Sequence, residues 1–405
     1  MNNAFTPPAY PRPSMIRQSG HQSALKIVFA IFALMIAAVL GLVVLVLIGS
    51  ETGPLELIIG MICAMLPVPI YIMVLLWIDR YESEPLWMLA TSFLWGALVA
   101  VFVALILNTI SGTIVAVATH SVQIGENFGA IISAPIVEES AKAFILLVLF
   151  LWKNEFDGII DGIVYAGMVG LGFAMTENIL YYGRSIQHGI DLDLCRQMGL
   201  NAQTCSLTLT IIVRGMLAPF SHPLFTSMTG IGLGWSRQSN NGFIKVFMPG
   251  LGLMVAILLH ATWNAIATYG GDLGFFAGYF LIMGPAFIVT LMVIYFSLRR
   301  EGRIVREFLQ TDCQSGFFDP IEYEGLCTVR GRMGMSWNAM RARGFAGWRA
   351  RMRCNQIASE LAFHRSRVAR GFVRDVQSAQ VRESDYLHTL RELRQRLNPA
   401  ERPPR

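Results

Sequence analysis

The segment PIVEESAKAF, Pro135–Phe144, places Glu138, Glu139 and Lys142 inside an otherwise apolar run extending from about Phe128 to Trp152. A run of that length can cross a bilayer as a helix. A charge in hydrocarbon costs from about 2.5 kcal/mol upward, so ionisable residues in a spanning helix face a protein interior. The segment therefore reads as one wall of a helical bundle with a polar interior.

The rest of the chain agrees. Of 405 residues, 54% are hydrophobic and 15% charged, against about 25% charged in a soluble domain. Apolar runs longer than about 18 residues recur between residues 24 and 298. We expect an all-α, polytopic membrane bundle of about eight spans: 24–49, 55–77, 86–110, 127–152, 158–183, 206–235, 246–269 and 273–298. Residues 1–23, rich in proline, read as a disordered N-terminus, 24–298 as the membrane domain and 299–405 as a basic helical tail. The first apolar run is too long for a signal-peptide core and reads as an uncleaved span. No internal repeat is apparent, which counts against a transporter built from inverted repeats. Six cysteines without a C-x-x-C pair exclude a zinc ribbon or disulfide scaffold.

Basic residues near the span ends set the orientation. Arg12, Arg17, Lys26, Arg80, Lys153, Arg237, Lys245, Arg299 and Arg300 fall on one side, which is expected to be cytoplasmic and to hold both termini. The loop 184–205 faces outward and carries Cys195 and Cys205, candidates for a disulfide. Residues 299–405 contain 21 arginines, no lysine and 12 acidic residues, a balance of +9 beside −4 for the remainder. Such a tail suits an anionic lipid surface. With no recognisable nucleic-acid module, nucleic acid is not an expected partner.

Four spans carry ionisable residues at depth. Glu138 and Glu139 lie about 100° apart on a helix and cannot share a direction, which implies different jobs. Lys142 is one turn from both and would tune the pair. GLGFAMTENILYYG, Gly170–Gly183, carries Glu177 and Asn178, with Phe173 one turn below Glu177; Gly167, Gly170 and Gly172 permit close helix packing. LAPFSHPLF, Leu217–Phe225, holds His222 between two prolines that break the helix, and Arg214 lies farther out. LLHATWNAIA places His260 and Asn264 on one face. At about 1.5 Å per residue, the glutamate pair lies roughly 17 Å from the outer surface, Glu177 about 9 Å and His260 about 14 Å. Those depths allow one cluster in the outer half of the membrane.

Two histidines and a glutamate make a catalytic zinc set, with a further carboxylate as base. His222, His260 and Glu177 are the expected ligands of zinc or another divalent metal. Glu138 or Glu139 would be the base, and Asn264 an oxyanion donor. A metal-free alternative uses glutamate-activated water with histidine and asparagine as the oxyanion site. A non-enzymatic rival is a proton- or cation-coupled transporter or a scaffold. The absence of H-E-x-x-H excludes a standard zincin.

Together these motifs resemble the PrsW family of intramembrane proteases. They are EExxK at Glu138–Lys142, FxxxEN at Phe173–Asn178, His222 in a proline-flanked span, HxxxN at His260–Asn264 and DRYESEPLW at Asp79–Trp87. The wider group includes the CAAX prenyl-protein proteases and bacteriocin-processing relatives; CAAX relatives have histidine where this chain has Glu177. The resemblance implies an endopeptidase of a bacterial plasma membrane that cuts a membrane-anchored, anti-sigma-factor-like substrate on its outer side, in stress signalling.

Overall fold

The computed structural model describes residues 20–151, 156–190, 192–371 and 375–397. The expected disordered N-terminus falls outside them up to residue 19, with Arg12 and Arg17, as does Lys153. All regular structure among the described residues is helical.

The membrane body begins with α1 (Gly20–Thr52), α2 (Pro54–Met65), α3 (Val68–Ile78) and α4 (Leu86–Leu94). A π-helical turn, Trp95–Ala100, leads into α5 (Val101–Thr119), which is followed by α6 (Val122–Phe128). A second π turn, Gly129–Ser133, leads into α7 (Ala134–Leu151), and α8 (Ile159–His188) follows. Beyond α9 (Asp193–Gln197) and α10 (Ala202–Thr210), a third π turn, Ile211–Leu217, precedes α11 (Ser221–Gln238). Then come α12 (Gly242–Tyr269), α13 (Gly271–Gly278) and, after a fourth π turn, α14 (Gly284–Gln314). Single wide turns of this kind recur at functional sites in helices.

Seven segments are long and apolar enough to cross a membrane: Met35–Thr52, Pro54–Ile78, Leu86–Thr119, Ile159–His188, Ala202–Gln238, Gly242–Tyr269 and Leu273–Gln314. Each overlaps one expected span. The remaining expected span, 127–152, is too highly charged for that set, because α7 carries Glu138, Glu139 and Lys142. Yet α7 packs against α5, α8, α11 and α12, inside the bundle. The bundle thus comprises seven apolar spans and one charged helix, whose charged face turns toward α8, α11 and α12.

The central helix is α8, whose span is 89% buried, against 17% for Met35–Thr52 on α1. Glycine explains the difference. A Cβ at Gly170 would lie 2.6 Å from Pro223 N and 2.7 Å from His222 C, and one at Gly162 would lie 2.1 Å from Gly230 O. Backbones of α8 and α11 approach that closely only without side chains, which is how small residues drive helix association in lipid. His222 is thereby pressed against α8.

Helix ends sort into two groups. At one end, Arg237 Nε donates to Phe156 O at 2.9 Å, Arg367 pairs with Glu82 at 2.7 Å and Asp157 at 3.1 Å, and Arg332 donates to Arg80 O at 3.0 Å. At the other, Arg184 pairs with Glu51, Gln187 donates to Thr52 O at 2.6 Å, and a disulfide joins Cys195 to Cys205. The first group gathers the loops expected on one side with the C-terminal tail.

The tail consists of α15 (Pro320–Leu326), α16 (Val329–Ala369), which reverses at Gly344 (φ 63°), and α17 (Val376–Leu397). There is no structural break at residue 299, since α14 runs through it. Val305, Leu309, Leu361 and Leu390 of the tail join the same apolar core as Leu146, Val164 and Tyr81. Seven arginines and no acidic residue lie between Val329 and Ser359. Several, however, are held internally: Arg332 lies 4.5 Å over the Tyr81 ring and Arg351 pairs with Glu322 at 2.6 Å.

The Asp79–Pro85 loop sits beneath that tail. Glu84 N donates to Asp79 Oδ2 at 2.8 Å, and the Tyr165 hydroxyl donates to Glu84. Burial is the main reason the Asp79 carboxyl is pushed up to about 8 and the Glu84 carboxyl to about 11.

Candidate metal centre within the bundle

Four helices supply the site, and α7 contributes two carboxylates with different surroundings. Glu139 is fully engaged. Its Oε1 accepts from Lys142 Nζ at 2.8 Å and from His260 Nδ1 at 3.0 Å, and its Oε2 accepts from the Thr226 hydroxyl at 3.0 Å. Glu138 is also buried, yet its Oε2 has no hydrogen-bond partner. That oxygen lies 3.6 Å from Lys142 Nζ and 3.8 Å from His260 Nε2. One glutamate is an anchor and the other presents an open oxygen.

Hydrogen-bond chemistry assigns the ring nitrogens. His260 gives its Nδ1 proton to Glu139, so its Nε2 offers a lone pair toward Glu138. Lys142 Nζ stands 3.0 Å from His222 Nδ1. An ammonium only donates, so His222 Nδ1 accepts, and Nε2–H is given to Glu177 Oε2 at 2.8 Å. Lys142 also lies 3.8 Å over the Phe173 ring, a cation–π contact that helps hold a fully buried ammonium.

Glu177 lies at the periphery, its side chain 19% exposed. Arg214, on the π turn before α11, pairs with the same Oε2, donates from Nε to Asn178 Oδ1 at 2.8 Å and stacks 3.7 Å over Tyr181. Asn264, the expected oxyanion donor, makes a hydrogen bond to the backbone of a neighbouring element. Its Nδ2 is spent on Ala130 O at 2.7 Å, tying α12 to the π turn before α7.

Among the described residues, Glu138, His222 and His260 are the group that could hold a metal, with one ligand atom from each within 4.8 Å of the others. That group contains Glu138 where the sequence pointed to Glu177. Two imidazoles and a carboxylate match the donors of catalytic zinc sets, and His222 would give a lone pair to an ion where Lys142 leaves Nδ1 or where Nε2 gives up the proton it shares with Glu177. Glu138 Oε2 makes no hydrogen bond, and the Lys142 ammonium 3.6 Å away meets it only as an ion pair, which leaves room at that oxygen for a further cation or proton. Glu139 behind His260 Nδ1 is the carboxylate–histidine support that orients metal ligands.

Three residues at this site received no role from the sequence: Thr226, Arg214 and Asn108, whose Nδ2 donates to Glu138 Oε1 at 3.4 Å. Asn108 interrupts the apolar run VFVALILN and Arg214 lies at depth, so both were visible as anomalies. Thr226 left no signal, because threonine is ordinary in membrane helices.

Comparison with known proteins agrees with this chemistry. A family model described as PrsW family intramembrane metalloprotease matches residues 84–296, just over half the chain. The chain is similar to protease PrsW of Bacillus subtilis, 32% identical over 190 residues, covering 47% of this chain and 74% of that protein. It is similar to protease PrsW of Oceanobacillus iheyensis, 28% identical over 220 residues, 54% of this chain and 86% of that one. Protease PrsW of Geobacillus kaustophilus is 27% identical over 204 residues, 50% of this chain and 77% of its own. No solved structure matches. A buried histidine–glutamate centre in a multi-pass helical bundle is what a membrane-embedded metalloprotease requires, and the chain belongs to the PrsW family of intramembrane metalloproteases.

Proposed function

We propose that Glu138, His222 and His260 hold a catalytic divalent metal, with zinc the best match to the donors, and that the chain hydrolyses peptide bonds of membrane-anchored substrates at this centre. The observation carrying the reading is that Glu138 Oε2, His260 and His222 converge in the bundle interior, with no hydrogen bond to that oxygen and only the 3.6 Å ion pair with Lys142 beside it. When bound, such an ion supplies Lewis-acid polarisation. The chain's own residues do the rest. Glu177 is the proton acceptor: it already takes the His222 Nε2 proton and is the carboxylate of the cluster nearest the exterior. It receives the proton of the attacking water and returns it to the leaving amide nitrogen. Glu139 and Thr226 orient His260, and Lys142 balances the charge of two adjacent carboxylates. Arg214 keeps Glu177 turned toward His222.

The site lies in the outer half of the proposed spans, which favours cleavage near the extracytoplasmic face of a single-span, anti-sigma-factor-like substrate. The same orientation puts both termini in the cytoplasm of a bacterial plasma membrane. The arginine-rich tail is read as a cytoplasmic module for anionic lipid, with Trp337 and Phe345 exposed at the reversal of α16.

Co-expression of the chain with a tagged single-span reporter tests the reading. Glu138→Gln, His222→Ala and His260→Ala should each abolish cleavage while the protein still accumulates in the membrane. Full cleavage by any two of these variants would overturn it.

A further inference from the structure

We infer that Asn108 is a positioning residue for Glu138, braced by Ser133 and Ser111. This rests on the proposed place of Glu138 in the metal set. Asn108 sits on α5, in a helix that is otherwise apolar from Val101 to Ile106 and exposes Leu107. A half-buried amide in such surroundings is costly unless its groups are used. Both are. Nδ2 donates to Glu138 Oε1 at 3.4 Å, and Oδ1 accepts from the Ser133 hydroxyl at 3.0 Å. Ser133 in turn meets the Ser111 hydroxyl at 2.6 Å.

The chain of contacts has a direction. A carboxylate oxygen only accepts, so the amide must present its NH2 to Glu138 and its oxygen to Ser133. With the Ser133 proton committed to Asn108, Ser111 is the donor to Ser133. Every proton in the brace points toward Glu138 Oε1. Holding Oε1 leaves Oε2 as the oxygen facing His260 and Lys142. Without Asn108, the carboxylate is free to rotate about its last torsion, and neither oxygen is held in the direction of His260.

The brace is itself held in place. Ser133 ends the π turn Gly129–Ser133, and Asn264 pins that turn from α12 through Ala130 O. Helices α5, α7 and α12 are thus locked around one carboxylate. The 3.4 Å contact is long for a hydrogen bond.

The test titrates Zn2+ against a chromophoric chelator using the full chain in detergent, for wild type, Asn108→Leu, Asn108→Gln, Ser133→Ala and the Asn108→Leu/Ser133→Ala pair. Removing outer partners of metal ligands typically costs about 10–100-fold in affinity. Asn108→Leu should weaken Zn2+ binding by about that factor, with thermal stability close to wild type. Asn108→Gln, which keeps the donor, should recover part of the loss. Ser133→Ala should lose less, and the pair should be no worse than Asn108→Leu alone, because Ser133 acts through Asn108. Affinity within about twofold of wild type in Asn108→Leu would overturn the inference, as would additive losses in the pair. Should Asn108→Leu fail to fold, unchanged affinity in Ser133→Ala would overturn it and a loss would support it. Glu138→Gln separates the two claims. If it loses Zn2+ while Asn108→Leu does not, only the positioning role fails. If it keeps Zn2+, the reading of the metal set fails with it.

Discussion

Glu138 and Glu139 are neighbours in sequence and opposites in environment. The difference follows from the 100° step of the helix, which turns one toward Lys142, Thr226 and His260 Nδ1 and leaves the other with an open oxygen. That two adjacent carboxylates must differ was legible from spacing alone. Which one is anchored was not, because the decision rests on Thr226 and His260 arriving from other helices. The same limit applies to Glu177: the sequence offered it as the carboxylate of a two-histidine metal set, while its pairing with Arg214 from a neighbouring π turn left no local pattern. Arg214→Ala should therefore reduce the cleavage rate about 10–100-fold while leaving metal content near wild type. Steady-state cleavage and metal analysis on one preparation check this. Loss of metal in that variant would instead place Glu177 among the ligands.

At the scale of elements, the approach of α8 to α11 sets the site. A methyl at Gly170 would collide with the backbone at His222 and Pro223. Gly170→Ala should push α11 outward, lower the thermal midpoint and reduce cleavage at least tenfold, whereas Gly250→Ala, where a Cβ meets nothing, should do neither. Parallel melts and cleavage assays decide it. The glycine pattern announced close packing, but its partner required the fold. The Asp79–Pro85 loop makes a prediction about pH. Burial raises Asp79 to about 8, above its ordinary value of 3.8, so the folded state holds a proton that the unfolded chain releases. Stability contributed by that proton is present at low pH and declines as pH rises from about 4 through about 8. Asp79→Asn can keep the acceptor for Glu84 N without the charge. Its gain in thermal midpoint should be larger at pH 8 than at pH 5, at about 2–4 °C per kcal/mol. Equal gains at both values would refute the assignment.

For the whole molecule, the apolar runs announced a membrane bundle, and seven of the eight expected spans pass a test of length and apolarity; the eighth fails it through the charges that form the site. The tail's docking was not legible, because long-range pairs such as Arg367 with Glu82 and Asp157 leave no local pattern. Arg367→Ala should loosen the tail, seen as faster limited proteolysis within 315–397 while cleavage of the membrane core stays slow; an unchanged digestion pattern would show that the apolar core alone holds it. At every scale, separate helices bring Glu138, His222 and His260 to one point, the proposed metal site. Its most direct test is the metal content of the purified full chain, measured beside Glu138→Gln and His260→Ala. About one divalent ion per wild-type chain is expected, with loss of most of it in both variants and the fold retained. Stoichiometric metal remaining in both would contradict it.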